Sequence, residues 1–162
     1  MTPTSDPGIF RQRGFTLVEI LVVLLVIGVA TAVVAANISP DNRQAAKMEA
    51  ARLADLLETT SEDAQDSVQT IAWSEQNNAY SFWRKAEDGS WQPITDDDLY
   101  RSRALENGVS FVQVKVGGVL LPEGERMIFH PSGVNRPFEI TLQRYGSRSV
   151  ISSDALNRMS VK

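Results

Sequence analysis

The chain has 162 residues, a net charge of -4 and an ordinary make-up, 43% hydrophobic and 22% charged. That length suggests one domain plus an appendage. No basic block supplies a broad nucleic-acid footprint, and the absence of cysteine excludes disulfides and thiolate metal sites.

Residues 1–14, MTPTSDPGIFRQRG, are polar and end on Arg11, Arg13 and Gly14. The next 24 residues, Phe15 to Ile38, hold a single charge, Glu19. A helix of that length reaches roughly 36 Å, enough to cross a hydrocarbon core of about 30 Å. The two arginines before the run favour a cytoplasmic N-terminus, which places the C-terminal domain outside the cytoplasm. A cleaved secretory signal fits poorly. Its apolar region is shorter, although small residues around Ala32 to Ala36 could supply a cleavage site. A plain anchor leaves Glu19 unexplained, since an ionisable residue inside a membrane helix implies a function and a partner.

Asp41 to Ser67 changes period. Ala46, Ala50, Leu53, Leu57, Ala64 and Val68 recur at helical spacing, with Leu56 beside them. This predicts an amphipathic helix with one face on a sheet. Its charges, Arg43, Lys47, Glu49, Arg52, Asp55 and Glu58, are expected on a solvated face. Glu62, Asp63 and Asp66 oppose the helix dipole and suggest fraying or a turn.

Beyond Ser67 the pattern turns to strands. They are expected at Ile71–Ser74, Ala79–Lys85, Trp91–Thr95, Val109–Val116, Val119–Leu121, Met127–His130, Phe138–Leu142 and Ser149–Ser152. Asp88-Gly89 and Gly117-Gly118 read as hairpin turns, and Pro131-Ser132-Gly133 as a tight turn. One long helix followed by short strands predicts an α+β fold, the helix packed on antiparallel β-sheets. The expected organisation is a leader at 1–14, a transmembrane helix at 15–38, an amphipathic helix continuing it at 39–67 and a β-rich domain at 68–162.

The segment Gly14-Phe15-Thr16-Leu17-Val18-Glu19 resembles the class III leader of type IV pilins and of the pseudopilins of type II secretion. The resemblance implies that a prepilin peptidase cuts after Gly14 and methylates the new N-terminus, Phe15. It also implies that Glu19, fifth in the mature chain, sets register during assembly. The physics is simple. Cleavage creates an amine on Phe15 that is cationic near neutral pH, its ordinary pKa being about 7.7–8.0. A neighbour's carboxylate at 4 Å attracts it by about 4 kcal/mol at an effective dielectric of ~20, before desolvation. Gly28 and the alanines from Ala30 to Ala36 allow close helix approach, though small residues are also simply tolerated in membrane helices. One departure stands out: many pilins have proline at the position of Ala36, whereas here it is Pro40, so a break is expected near 37–40.

The C-terminal part is similar to the GspH family. The residues carrying this are Tyr80 and Phe82; Asp88, Gly89 and Trp91; Arg103, Leu105, Gly108 and Val109; Ile128, Phe129, Pro131, Ser132 and Gly133; and Pro137, Phe138, Ile140 and Leu142. Each piece is ordinary strand or turn chemistry; the order carries the resemblance. It implies a minor pseudopilin H near the tip of a periplasmic pseudopilus that helps export folded proteins across the outer membrane. The implied partners are the major pseudopilin G, the minor pseudopilins I, J and K, the prepilin peptidase and the inner-membrane platform. The implied location is the inner membrane, single-pass, with a periplasmic C-terminal domain. The alternative is a minor type IV pilin, FimU- or FimT-like, in pilus priming or DNA uptake. Such pilins often carry a C-terminal disulfide, and the DNA-binding ones a basic C-terminal motif. Here the tail has no cysteine and only scattered Arg144, Arg148, Arg158 and Lys162.

No catalytic constellation emerges, and no enzyme, cofactor, metal or nucleic acid is expected. His130 is the one histidine, too few for a zinc site. Asp96-Asp97-Asp98 lacks the spacing of a calcium loop and reads as a solvated turn. Ser132 has no nucleophile elbow around it. Trp73, Trp83 and Trp91 fall in predicted strands, so core packing is expected, with one exposed tryptophan as a possible subunit anchor.

Overall fold

The computed structural model describes residues 17–37, 40–106, 108–154 and 157–162. They form two separate units, one ending at Asn37 and one starting at Ile38.

The first unit is helix α1, Leu17–Asn37. Its 21 residues reach roughly 31 Å at 1.5 Å each. Every side chain from Leu17 to Val34 is exposed. An all-apolar exposed surface costs too much in water, so this helix needs lipid or other helices around it. Polar groups along its length can bond within the helix, as hydrocarbon demands. The Thr31 hydroxyl, for instance, sits 2.8 Å from the Ile27 carbonyl and 2.9 Å from that of Gly28.

The second unit opens with helix α2, Pro40–Asp66. Proline suits a first helical position, where its missing N–H goes unused. Helix α1 ends at Asn37 and α2 starts at Pro40; residues 38 and 39, where a break is expected, lie outside the described set. Ala46, Ala50, Leu53, Leu57 and Ala64 are fully or almost fully buried, as the spacing predicts. Val68 is not: it is 77% exposed. The helix ends before it in a Schellman turn, with Gln69 N–H on the Ala64 carbonyl at 3.1 Å and Val68 N–H on that of Gln65 at 3.2 Å. Val68 occupies the left-handed position, φ +54°, that glycine normally takes.

Ten strands follow. β1 (Ile71–Gln76), β2 (Ala79–Lys85), β3 (Trp91–Pro93), β4 (Arg103–Ala104) and β7 (Arg126–Phe129) make one antiparallel sheet, ordered β3-β2-β1-β7 with β4 also on β2. β5 (Ser110–Val116), β6 (Val119–Leu120), β8 (Phe138–Arg144), β9 (Ser147–Ser153) and β10 (Met159–Val161) make the other, ordered β10-β9-β8-β5-β6. This is the α+β fold expected, helix α2 packing chiefly on β8, β9 and β10. β4 and β10 are additions; each is too short for two-residue alternation to announce. Asn77-Asn78, Gly117-Gly118 and Tyr145-Gly146 are two-residue hairpin turns with positive φ at both positions, the backbone that matches strand twist.

The core joins both sheets. Trp73, Tyr80, Phe82, Phe129, Leu53, Leu57, Ile140, Leu142 and Ile151 are its largest fully buried apolar side chains. Asn78 ties one sheet to the other: its amide donates to the Val109 carbonyl at 3.0 Å and its oxygen accepts from Phe111 N–H at 3.0 Å. Of the three tryptophans only Trp73 is core. Trp83 and Trp91 are half-buried on the outer face of the first sheet, because strand alternation turns Trp83 away from its inward neighbour Phe82.

Candidate assembly site

The three residues expected to act in processing and assembly lie at the start of the chain. Gly14 and Phe15 fall outside the described residues. Glu19 stands in the first turn of α1, the end of a helix that favours a negative charge. Its side chain is exposed, as are the apolar residues that follow. Leu17–Val34 is long and apolar enough to cross a bilayer.

In the second unit the expectation of a wholly solvated charged face on α2 does not hold. Glu49 is only 6% exposed. It accepts from the Arg52 guanidinium at 2.7 Å, and Arg52 also lies 3.9 Å from Glu106. Position 49 sits on the same stripe as Ala46, Ala50 and Leu53, so helical spacing alone could have placed it inside. A buried carboxylate without a cation is costly, and Arg52, one turn away, removes that cost. Asp63 also has a specific role, accepting a hydrogen bond from the Tyr100 hydroxyl. Burial, reinforced by that carboxylate, pushes the Tyr100 phenol well above its ordinary range. Burial likewise raises Tyr80. The helix runs on to Asp66 despite its acidic end, held by these contacts and by the Schellman turn.

The turn Pro131-Ser132-Gly133 is pinned from two directions. Its backbone closes with Gly133 N–H on the His130 carbonyl at 3.0 Å. Buried Asn135 accepts from His130 N–H at 2.7 Å and donates to Ser61 on α2 at 3.3 Å and to Asn157 at 3.1 Å. Asn157 in turn donates to the Gly133 carbonyl at 2.6 Å. Gly133 has φ +74°, and a Cβ there would meet Gln65 Oε1 at 2.5 Å. The turn is therefore a clasp between helix, strand and tail. Nothing in the sequence distinguishes Asn135 as its centre, because the partners its amide donates to are 22 and 74 residues away.

The residues weighed for chemistry are dispersed. The His130 side chain and Ser132 are exposed at the clasp. Asp97 caps its own turn through Leu99 N–H at 2.8 Å, and Asp96 pairs with Arg84 at 3.5 Å. Among the described residues no group of three acidic, histidine or cysteine side chains could hold a metal ion.

An exposed apolar helix carrying one acidic residue in its first turn, together with a helix-on-two-sheets unit, defines a pilin-like filament subunit. The comparisons narrow the class. Residues 9–35 match the prokaryotic N-terminal methylation motif, and residues 49–156 match type II transport protein GspH. The chain belongs to the GspH family, and it is a minor pseudopilin of type II secretion. Two structures of the minor pseudopilin EpsH from the type II secretion system of Vibrio cholerae share its fold. One has TM-score 0.60 and 16% identity, covering 72% of this chain and 94% of its own. The other has TM-score 0.60 and 18% identity, covering 74% and 94%. No curated protein matches the chain. The family is a structural one that assembles with other pseudopilins, and the methylation motif ahead of an apolar helix marks a membrane anchor.

Proposed function

We propose that this minor pseudopilin sits near the tip of a short periplasmic pseudopilus and helps drive folded proteins through the outer membrane. The observation that carries this reading is the pairing of a methylation motif over residues 9–35 with a GspH domain over residues 49–156 in one chain. On this reading a prepilin peptidase cuts after Gly14 and methylates Phe15. Residues 15–38 anchor the protein in the inner membrane, residues 39–67 continue as the amphipathic helix, and residues 68–162 lie in the periplasm. Arg11 and Arg13 support that orientation.

Glu19 acts as the register device. In hydrocarbon a carboxylate is penalised until it meets a cation. The Phe15 amine of a neighbouring subunit supplies one, so correct stagger is favoured over loose packing. The neighbours proposed are the major pseudopilin G and the minor pseudopilins I, J and K, on the inner-membrane platform. No catalytic step is assigned to this chain.

The test is the extracellular proteome of a strain lacking the protein, beside its complemented parent. Folded enzymes should vanish from the medium and accumulate in the periplasm. An unchanged medium overturns the secretion role and leaves a minor type IV pilin, read out by piliation and DNA uptake.

A further inference from the structure

The two sheets leave a cleft of about 330 Å³ between β7 and the β5–β6 hairpin. Among the described residues β7 pairs with β1 alone, so one side of its backbone is an unpaired edge there; β6 is the edge of the other sheet. Natural edges are usually protected by charge, proline or a cover. Here apolar side chains stand exposed beside both edges. Val119, Leu120, Ile128 and Val134 are 64%, 61%, 37% and 73% exposed, and all four line the cleft. They are four of the nine exposed large hydrophobic residues described in the second unit.

The charge of the cleft is equally one-sided. Arg126, Arg136 and His130 line it and no acidic side chain does, in a chain of net charge -4. Arg126 is held against aromatic rings, and Arg136 lies over a glycine. Arg126 lies 4.4 Å above the Trp83 ring and 5.7 Å from that of Trp91. Arg136 is folded so closely onto Gly117 that a Cβ there would stand 2.6 Å from Nη2. Neither forms an ion pair among the described residues, and the buried Arg126 Nε has no hydrogen-bond partner. A cation without an ion-pair partner beside apolar surface suits a carboxylate that arrives from outside.

We propose that this cleft seats an extended, acidic strand of another pseudopilin. The strand pairs with the free edge of β7, sets alternate apolar side chains against Val119, Leu120 and Ile128, and places a carboxylate on Arg126 and Arg136. Main-chain pairing gives such a contact its affinity, while the alternating side chains and the charge give it selectivity. The four residues of β7 span roughly 13 Å at about 3.3 Å each, so the added strand is short. The proposal rests on the pseudopilin reading and adds to it the surface used and the chemistry of the neighbour.

The full chain tests it in cells. Ile128→Cys introduces the sole thiol, since the natural sequence has none. Tyr145→Cys, 73% exposed at the opposite end of β8 from the cleft, is the control. Alkylation by a small maleimide is timed with all other pseudopilins present and with them deleted. Ile128→Cys should react at least fivefold more slowly in the complete system, and Tyr145→Cys equally in both. Adding Arg126→Gln and Arg136→Gln should restore fast labelling. Equal rates for Ile128→Cys while secretion still requires the chain overturn the cleft and spare the secretion role. Loss of any secretion requirement overturns both. Protection that persists without the other pseudopilins points to a second copy or an unrelated partner, and protection that survives the arginine changes rules out an acidic strand. Either result overturns the proposal.

Discussion

Helices α1 and α2 place a glutamate in opposite surroundings. Glu19 belongs to the most apolar helix and is exposed; Glu49 belongs to a charged helix and is buried. Hydropathy describes a residue's neighbours along the chain, whereas burial depends on its neighbours in space. In α1 every side chain from Leu17 to Val34 faces outward, so the surroundings are another molecule's. In α2 one stripe faces a sheet, and Glu49 is tolerated there because Arg52 lies one turn on.

Mutations can pull the two cases apart. The largest effect is expected upstream of α1. Gly14→Val should nearly abolish processing, seen as an uncut, unmethylated precursor by mass spectrometry. Glu19→Ala should leave processing intact yet reduce incorporation into pseudopili by roughly tenfold, equivalent to about 1.4 kcal/mol. Incorporation at the normal level would remove the register role. The same variant should unfold normally by tryptophan fluorescence, because Trp73, Trp83 and Trp91 all lie in the second unit.

Variants in α2 and its contacts should behave oppositely, lowering stability ahead of assembly. Tyr100→Phe removes the hydrogen bond to Asp63 and should cost about 2 kcal/mol in denaturant unfolding of the full chain in detergent. The pH sign follows from the raised Tyr100 pKa. Its contribution is complete below the unfolded value near 10 and is lost as pH rises through the folded value. The gap between natural protein and Tyr100→Phe should therefore narrow above about pH 10; a gap that widens contradicts the assignment. Glu49→Ala leaves Arg52 only the more distant Glu106, and since the Arg52 side chain is 37% exposed the cost should be about 1–2 kcal/mol. If Glu49→Ala instead impaired incorporation with stability unchanged, the contrast between the two glutamates would collapse.

The smallest change should be a gain. Val68 holds φ +54° with its side chain in solvent, so it bears left-handed strain without packing in return. Val68→Gly should stabilise the domain by about 1 kcal/mol. A loss of stability would mean that Val68 makes a contact the isolated chain does not show.

Sequence by itself determined the elements whose signal is local. The apolar run and its glutamate specify α1, helical spacing specifies most of α2's buried stripe, and paired turn residues place hairpins at Gly117-Gly118 and Asp88-Gly89. Alternation of Phe138, Ile140 and Leu142 with polar residues fixed which side of β8 faces inward; all three are buried. Tertiary structure decided what depends on distant partners. It closed α2 two residues before Val68, assigned Asp63 to Tyr100 and Asn135 to Ser61 and Asn157, and turned Trp83 outward beneath Arg126. It also set the free edge of β7 beside the exposed hairpin of the other sheet. The physical reason is one of range: periodicity and turn chemistry act over a few residues, whereas a polar or aromatic side chain takes its role from whichever part of the chain the fold brings against it.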